Sequence, residues 1–262
     1  MRLTTIRDKK KLEKYLMRDP YLNALAIGDL DDFFWPNTTW YAFENEEGIE
    51  RLALWYEGAG MPVLLFFEEG NDSLAQEFAK SLFPVLPENV YAHFRPGLDK
   101  IYQEVYDLDS HGLHHKMALL HSEYLDKIDS SGTVKCSMDD LPLLTELYTK
   151  AYSGNFFDPR MLETGQYYAI RENGMFISAA GIHVYSEKYG IAAIGNVTTL
   201  PDRRGEGLAK RVCARLSVEL LKRVKYVTLN VKADNAPAIA VYEQLGFKWV
   251  ADYTEYILRR KN

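Results

Sequence analysis

Laid against itself with an offset of about 130 residues, the sequence repeats one order of secondary-structure signals, and that order leaves few folds open. In the second half, "TVKCSM" (133–138) reads as a strand and "DDLPLLTELYTKAY" (139–152) as a helix with an acidic cap and an early Pro. A loop or broken helix, "SGNFFDPRMLETG" (153–165), leads to a hairpin over 166–187 that turns at Asn173-Gly174. "YGIAAIGNVTTL" (189–200) is a third sheet segment. A long helix follows, with Leu208, Val212, Leu216 and Leu220 on one stripe. A strand over 226–233, a helix over 235–245 and a closing strand over 247–258 complete the order.

The first half follows it. "RLTTI" and "DKKKLEKYLMRD" stand for the first strand and helix, and "TTWYAFENEEGIERLALWY" for the hairpin, with Gly48 at the place of Gly174. "PVLLFFEE", "SLAQEFAKSLF" and "NVYAHFRP" stand for the third segment, long helix and next strand; "LDKIYQEVY" and "HGLHHKMALLHSE" stand for the last helix and strand. The polar segment "KIDSSGTV" (127–134) is the expected boundary. The expectation is an α/β protein with a mixed sheet, built as two tandem domains, 1–130 and 131–262.

The repeat breaks at one place. In the second half the third strand runs into "PDRRGEGLAK", two arginines and two glycines before the long helix; the first half has "EEGND" there. A helix N-terminus carries free N–H groups and partial positive charge, so it suits an anion. Gly205 and Gly207 let those groups close round a diphosphate, and Arg203 and Arg204 add guanidinium contacts. The spacing is G-x-G-x-A, neither a dinucleotide fingerprint nor a P-loop.

Charge agrees with that division. Residues 1–130 hold 13 Lys+Arg against 23 Asp+Glu, and residues 131–262 hold 18 against 14, within a formal net charge of −6. The acidic half argues against nucleic acid, and the basic half suits a phosphorylated ligand. The longest apolar runs, such as "MPVLLFF", are of strand length, and the N-terminus has no signal-peptide pattern, so no membrane partner and a cytoplasmic location are expected. Cys136 and Cys213 lack metal-ligand spacing and read as reduced core thiols.

Two stretches together carry a resemblance. "R-G-E-G-L-A" (204–209) resembles the R/Q-x-x-G-x-G/A pyrophosphate loop of the GNAT N-acetyltransferase superfamily, and "N-A-P-A-I-A-V-Y-E-Q-L-G-F" (235–247) resembles its second signature, one strand later. The resemblance covers 131–262; over 1–130 only the repeat extends it, which implies a degenerate GNAT-like copy. It implies acetyl-CoA as cosubstrate. Backbone near Val197 and Thr199 would pair with the pantetheine amides, and Arg204 with the N–H groups of Gly205, Gly207, Leu208 and Ala209 would hold the pyrophosphate. Asn235 caps the second helix and belongs to the same ligand site. Tyr242 would protonate the departing thiolate, which suits a phenol beside a thiol.

The base is less legible. Many GNAT members place a Glu on the strand before the pyrophosphate loop; here "GIAAIGNV" offers only Asn196, which cannot take a proton. His183 on the preceding strand is the candidate, with Glu187 behind it. His111, His114, His115 and His121 alternate on a strand without a completing ligand, so no metal is expected. Phe33, Phe34 and Trp35 read as packing, Phe156 and Phe157 as a lid over the acceptor. The expected function is acetyl transfer from acetyl-CoA to an amine of a small molecule or amino acid by direct attack. Transfer of a longer acyl or aminoacyl group, or non-catalytic CoA sensing, are the alternatives. The oligomeric state is not legible.

Overall fold

The computed structural model of the protein describes residues 1–58 and 60–261. The chain divides into two compact units, one of Met1–Lys116, Lys232–Asp234 and the segment from Ala251 onwards, the other of Met117–Val231 and Asn235–Val250.

Unit 1 opens with strand β1 (Thr4–Ile6), helix α1 (Lys9–Leu16) and the short helix α2 (Ala24–Gly28). The Asp8 side chain accepts from the N–H groups of Lys10 and Lys11, and so starts α1. The hairpin β2 (Thr38–Asn45) and β3 (Gly48–Tyr56), strand β4 (Val63–Phe66), helix α3 (Ser73–Ser81), strand β5 (Asn89–Phe94), helix α4 (Leu98–Tyr102) and the long strand β6 (Tyr106–Leu119) follow. β1 to β4 pair antiparallel in sequence order, whereas β4 and β5 run parallel, Val63 opposite Tyr91. α3 buries Phe78 against Phe43 and Phe66, ring centroids 4.9 and 5.3 Å apart. Of the aromatics read as packing, Phe34 is buried against Phe33, and Trp35 stacks on Trp40.

Unit 2 repeats the order. Strand β7 (Thr133–Lys135), helix α5 (Leu141–Ala151) and the single turn α6 (Pro159–Leu162) lead to the hairpin β8 (Tyr168–Glu172) and β9 (Met175–Ser186). Then come β10 (Ile191–Thr199), α7 (Leu208–Leu221), β11 (Tyr226–Lys232), α8 (Ala236–Gln244) and β12 (Phe247–Arg260). β7, β8, β9 and β10 pair antiparallel in order, and β10 runs parallel to β11. The hairpin turns at Asn173 and Gly174 with φ of 50° and 82°, the left-handed pair that such turns need. The leucine and valine stripe of α7 is buried: Val212, Leu216 and Leu220 have no exposed surface.

The units part from a cut between residues 130 and 131. Thr254–Arg259 of β12 pairs with β5, Thr254 opposite Phe94, and Leu258 completes the unit 1 core. Met117, Leu119 and Leu125, from the first half of the sequence, are buried in the unit 2 core. The last strand of each half therefore serves both units. β6 also starts five residues ahead of the expected 111, at Tyr106, and the residues after it form a 3₁₀ turn over Ser122–Lys127. No helix among the described residues is long and apolar enough to cross a membrane.

The shared strands make the halves depend on each other. A chain cut at 130/131 leaves β5 without its neighbour and removes three side chains from the unit 2 core. Buried Leu or Met costs about 2–5 kcal/mol each to remove. Each half expressed alone should lack a cooperative unfolding transition, while the two co-expressed should assemble; a sharp transition for 131–262 alone would refute the exchange. Stability should also depend on pH. Burial pushes the Asp29 carboxyl up to about 8, and that of Glu68 up to about 7 despite its bond from Tyr15. Both lie above the unfolded values near 4, so the native state holds the extra protons and stability falls as pH rises from about 4 to 8. Asp29→Asn should raise the melting temperature by at least about 5 °C at pH 8 and change it little near pH 4; equal shifts at both pH values would contradict the assignment.

Candidate active site

The site begins where two parallel strands part. The ladder between β10 and β11 ends at Ile194 opposite Leu229, while β10 goes on pairing with β9 through Thr198 and Thr199. The register shifts between Gly195 and Thr198, and Asn196 takes a φ of 53°. A side chain held in the left-handed region costs about 1–2 kcal/mol, least for Asn. This bulge turns β10 away and leaves the backbone of 195–199 without a strand partner on the β11 side. Val197 and Thr199 lie on that stretch.

β10 delivers the chain to Pro201 and the loop that opens α7. Gly205 and Gly207 have φ of 86° and 74°, which L side chains rarely adopt, and a Cβ at either would meet no atom within 4 Å. The glycines serve a turn that faces open space, not one packed on protein. No side chain caps α7. The first backbone bond at this end runs from Arg211 N–H to Gly207 O, 3.2 Å, so the N–H groups of Leu208 and Ala209 precede the helical ladder. The two arginines divide the work. Arg203 is bonded to Glu172 and, at 2.8 and 2.9 Å, to both oxygens of Glu206; it braces the loop and neutralises Glu206, and does not offer the phosphate contact expected of it. Arg204 gives Nε to Thr199 O at 3.4 Å and keeps its two terminal nitrogens without a partner among the described residues.

The corresponding helix of unit 1 explains what an open end means. Asp72 caps α3, accepting from Ala75 N–H at 2.8 Å, and Arg51 holds the Asp72 carboxylate at 3.0 Å. There the protein supplies its own anion. Gly70 in that loop is packed so closely that a Cβ would come 2.6 Å from Gly97 backbone. Unit 2 has the same helix with the anion missing.

α8 forms one flank. Asn235 accepts from Ala238 N–H at 3.3 Å and Pro237 lies in the first turn. Lys210 of α7 reaches Gln244 of α8 at 3.1 Å. Tyr242 is 7% exposed, packs edge-on against Phe247 and makes no hydrogen bond with a described residue. Burial first, then the thiol of Cys213 and Tyr152, push its ionisation well above that of a free phenol. It stays a donor at every physiological pH. Both cysteine thiols are unpaired and buried and pushed up to about 12, so neither is a nucleophile.

The other flank is a polar network that the sequence did not reveal. Asn196 is 3% exposed. Its Nδ2 donates to the Tyr167 hydroxyl at 3.1 Å, Tyr167 donates to Ile182 O at 3.1 Å, and the Tyr148 hydroxyl donates to Asn196 O at 2.8 Å. Asn196 Oδ1 is buried without a donor. Tyr148 and Tyr167 read as core residues by their spacing, and nothing local marks them as polar anchors. His183 sits where the β9–β10 register shifts, its ring so close over Gly195 that a Cβ there would come 2.2 Å from it. Phe157 packs on Tyr148 and Tyr167, centroids 4.9 and 5.6 Å away, while Phe156 is exposed. Of the other histidines, His93 and His114 both face Glu255 at 3.6 Å, His115 meets Asp252 at 2.6 Å, His121 meets Glu123 at 3.1 Å, and His111 packs on the Tyr91 ring.

The chain is similar to known proteins in sequence over part of unit 2 and in fold over nearly its whole length. Residues 178–257 match the family model described as FR47-like protein. The [ribosomal protein bS18]-alanine N-acetyltransferase of Escherichia coli (strain K12) is 36% identical over 81 residues, 30% of this chain. The chain spans about half the length of the curated relatives it matches, 53% for that enzyme. Among solved structures, an acetyltransferase from the GNAT family of Colwellia psychrerythraea superposes over 100% of both chains with a TM-score of 0.59 at 12% identity. A tandem GNAT protein from the clavulanic acid biosynthesis pathway covers 99% of this chain and 98% of its own, TM-score 0.56, 14% identity. Those identities speak for the fold: the chain is built as the GNAT acetyltransferase structures are, and the segment that matches the FR47-like family model, 178–257, holds the openings of both α7 and α8.

Proposed function

We propose that the chain is an acyltransferase that moves the acetyl group of acetyl-CoA to an amine, with unit 2 as its catalytic unit. The open, uncapped start of α7 beside the parted strands carries this reading. The diphosphate would lie on the N–H groups of Gly205, Gly207, Leu208 and Ala209, with the terminal nitrogens of Arg204 beside it. The strand edge near Val197 and Thr199 would pair with the pantetheine amides. Asn235, its oxygen used as a cap, keeps its amide NH₂ for the same ligand.

Bound acetyl-CoA supplies the thioester. The amine attacks its carbonyl carbon, a C–N bond forms and the C–S bond breaks. N–H groups near Val197 stabilise the oxyanion, Tyr242 gives a proton to the leaving sulfur, and His183 takes the proton the amine loses. Asn196 Oδ1, the orphan acceptor, would hold an N–H of the incoming amine or its water. The acceptor is a small amine or amino acid; the alanine acceptor of the E. coli relative makes a protein N-terminus the neighbouring class. Unit 1, whose helix start is filled by Asp72, takes no CoA, so one CoA binds per chain. Two unpaired thiols suit a reducing compartment such as the cytoplasm.

Gly207→Val puts a branched side chain at a left-handed φ and into the diphosphate position. Calorimetry should read at least about a 100-fold loss of acetyl-CoA affinity, equivalent to roughly 2.7 kcal/mol, with the melting temperature lowered by only several degrees through the strain at that φ; wild-type affinity, or two CoA per wild-type chain, would sink the assignment. Tyr242→Phe keeps the ring. Turnover of an accepted amine should fall about 10²–10⁴-fold with CoA affinity unchanged. An unchanged rate would reduce Tyr242 to a packing residue.

A further inference from the structure

One hydroxyl reaches the backbone of the bulge in β10. Tyr148 stands in the last turn of α5, on the face that also carries Leu144 and Leu147, and all three are buried. Its ring packs on Phe157, and its hydroxyl donates to Asn196 O at 2.8 Å, a buried bond between residues 48 apart in the sequence. Burial first, then Tyr167, Cys136 and Tyr152, push the ionisation of this phenol well up, so it donates at every physiological pH. Tyr148, Asn196 and Val197 all belong to unit 2.

That bond acts on a single peptide group. No cis peptide bond occurs among the described residues. In a planar trans unit the C=O and the N–H point opposite ways. With Asn196 O aimed at Tyr148, the N–H of Val197 is aimed away from it. Asn196 and Val197 fall between the paired residues Gly195 and Thr198, outside the β9 register, and the β11 ladder has already ended at Ile194. Neither neighbouring strand pairs with these two residues, so the rotation of the 196–197 peptide is not set by a ladder. The left-handed φ of Asn196, 53°, also needs a neighbour that holds it. The Asn196 side chain is tied separately, through Nδ2 to the Tyr167 hydroxyl at 3.1 Å. A hydrogen bond accepted at C=O further polarises the peptide and strengthens its N–H as a donor.

We propose that Tyr148 is a positioning residue for acyl transfer: its hydroxyl orients and polarises the 196–197 peptide so that the Val197 N–H donates to the thioester carbonyl oxygen and to the oxyanion that grows from it. Tyr148 itself touches no substrate and acts through the backbone of Asn196. The role rests on the acyl-transfer reading of unit 2 and deepens it by naming the side chain that readies one backbone donor.

The test uses the full chain and acetyl-CoA labelled for NMR at its thioester carbonyl carbon, with no amine present. On the wild-type chain the carbonyl signal should lie downfield of that of free acetyl-CoA, because a hydrogen bond to the oxygen draws electron density from the carbon. Tyr148→Phe should lose most of that displacement while acetyl-CoA affinity, read by calorimetry, stays within about threefold of wild type. A ring-fluorinated tyrosine at position 148 keeps the bond and the packing and is the stronger donor; it should move the signal further downfield. Tyr167→Phe removes a hydroxyl that is as deeply buried but bonds to Ile182 O and the Asn196 side chain, not to the 196–197 peptide. It should lower the melting temperature about as much as Tyr148→Phe and keep the displacement. An unmoved signal in either Tyr148 variant, an equal move in Tyr167→Phe, or a bound wild-type signal at the free position would each overturn the positioning role and leave CoA binding standing. No binding of acetyl-CoA by the wild-type chain would overturn the acyl-transfer reading, and the role with it.

Discussion

Free N–H groups at the start of one helix organise everything else in unit 2. α7 begins without a cap because its loop is built of left-handed glycines, and those glycines stay exposed because nothing of the protein is set against them. An uncapped helix end costs stability that a single Ser or Asp would restore, by about 1 kcal/mol. Arg203 and its two carboxylate partners hold the loop in that form. The bulge at Asn196 then keeps β10 clear of β11 and leaves a strand edge beside the helix start. Anchor and edge are both unmet backbone groups, which is why unpartnered positions locate the site better than side-chain chemistry does.

Unit 1 is a built-in control within the same chain. Its strand order, pairing sense and helix placement repeat those of unit 2, yet its helix carries Asp72 as an internal anion, held by Arg51. Scaffold and helix start have come apart: strands and helices follow from hydrophobic period, which both halves carry, while the uncapped helix start depends on the loop over 200–207, which unit 1 replaces with a capped one. The family reading follows the same logic, since its two signatures begin the two helices whose first turns flank the parted strands.

How much of this was legible in the sequence varies by element. The alternation of the hairpins, the stripe of α7, the Asn-Gly turn and the caps of α1 and α8 are local signals, and the elements formed where those signals stand. The turn at Gly205 and Gly207 was legible because two alternate glycines just ahead of a helix mark left-handed backbone, which other residues adopt only at a cost. Arg203 was not separable from Arg204, because Glu206 stands near both in the sequence and Glu172, the other carboxylate on Arg203, lies 31 residues away on a hairpin. The Tyr148–Asn196–Tyr167 network was hidden for the same reason. A tyrosine on an apolar stripe reads as core whether its hydroxyl meets water or a distant carbonyl. The allegiance of the last strands was beyond reach too, since β6 and β12 carry equivalent patterns and either would satisfy the edge of β5.

That allegiance has a temporal side. A ribosome delivers β5 well before β12, with β6 to β11 made between them. β5 is made by residue 94 but meets Thr254–Arg259 only after all of β6 to β11 has been made. Unit 1 thus waits, with an unpaired strand edge, through the making of all of unit 2, and an open edge is a template for wrong pairing. Its high acidic charge, concentrated in the same residues, supplies mutual repulsion between waiting chains. Unit 1 is begun before unit 2 and completed after it, so its folding waits on residues far from it in the sequence.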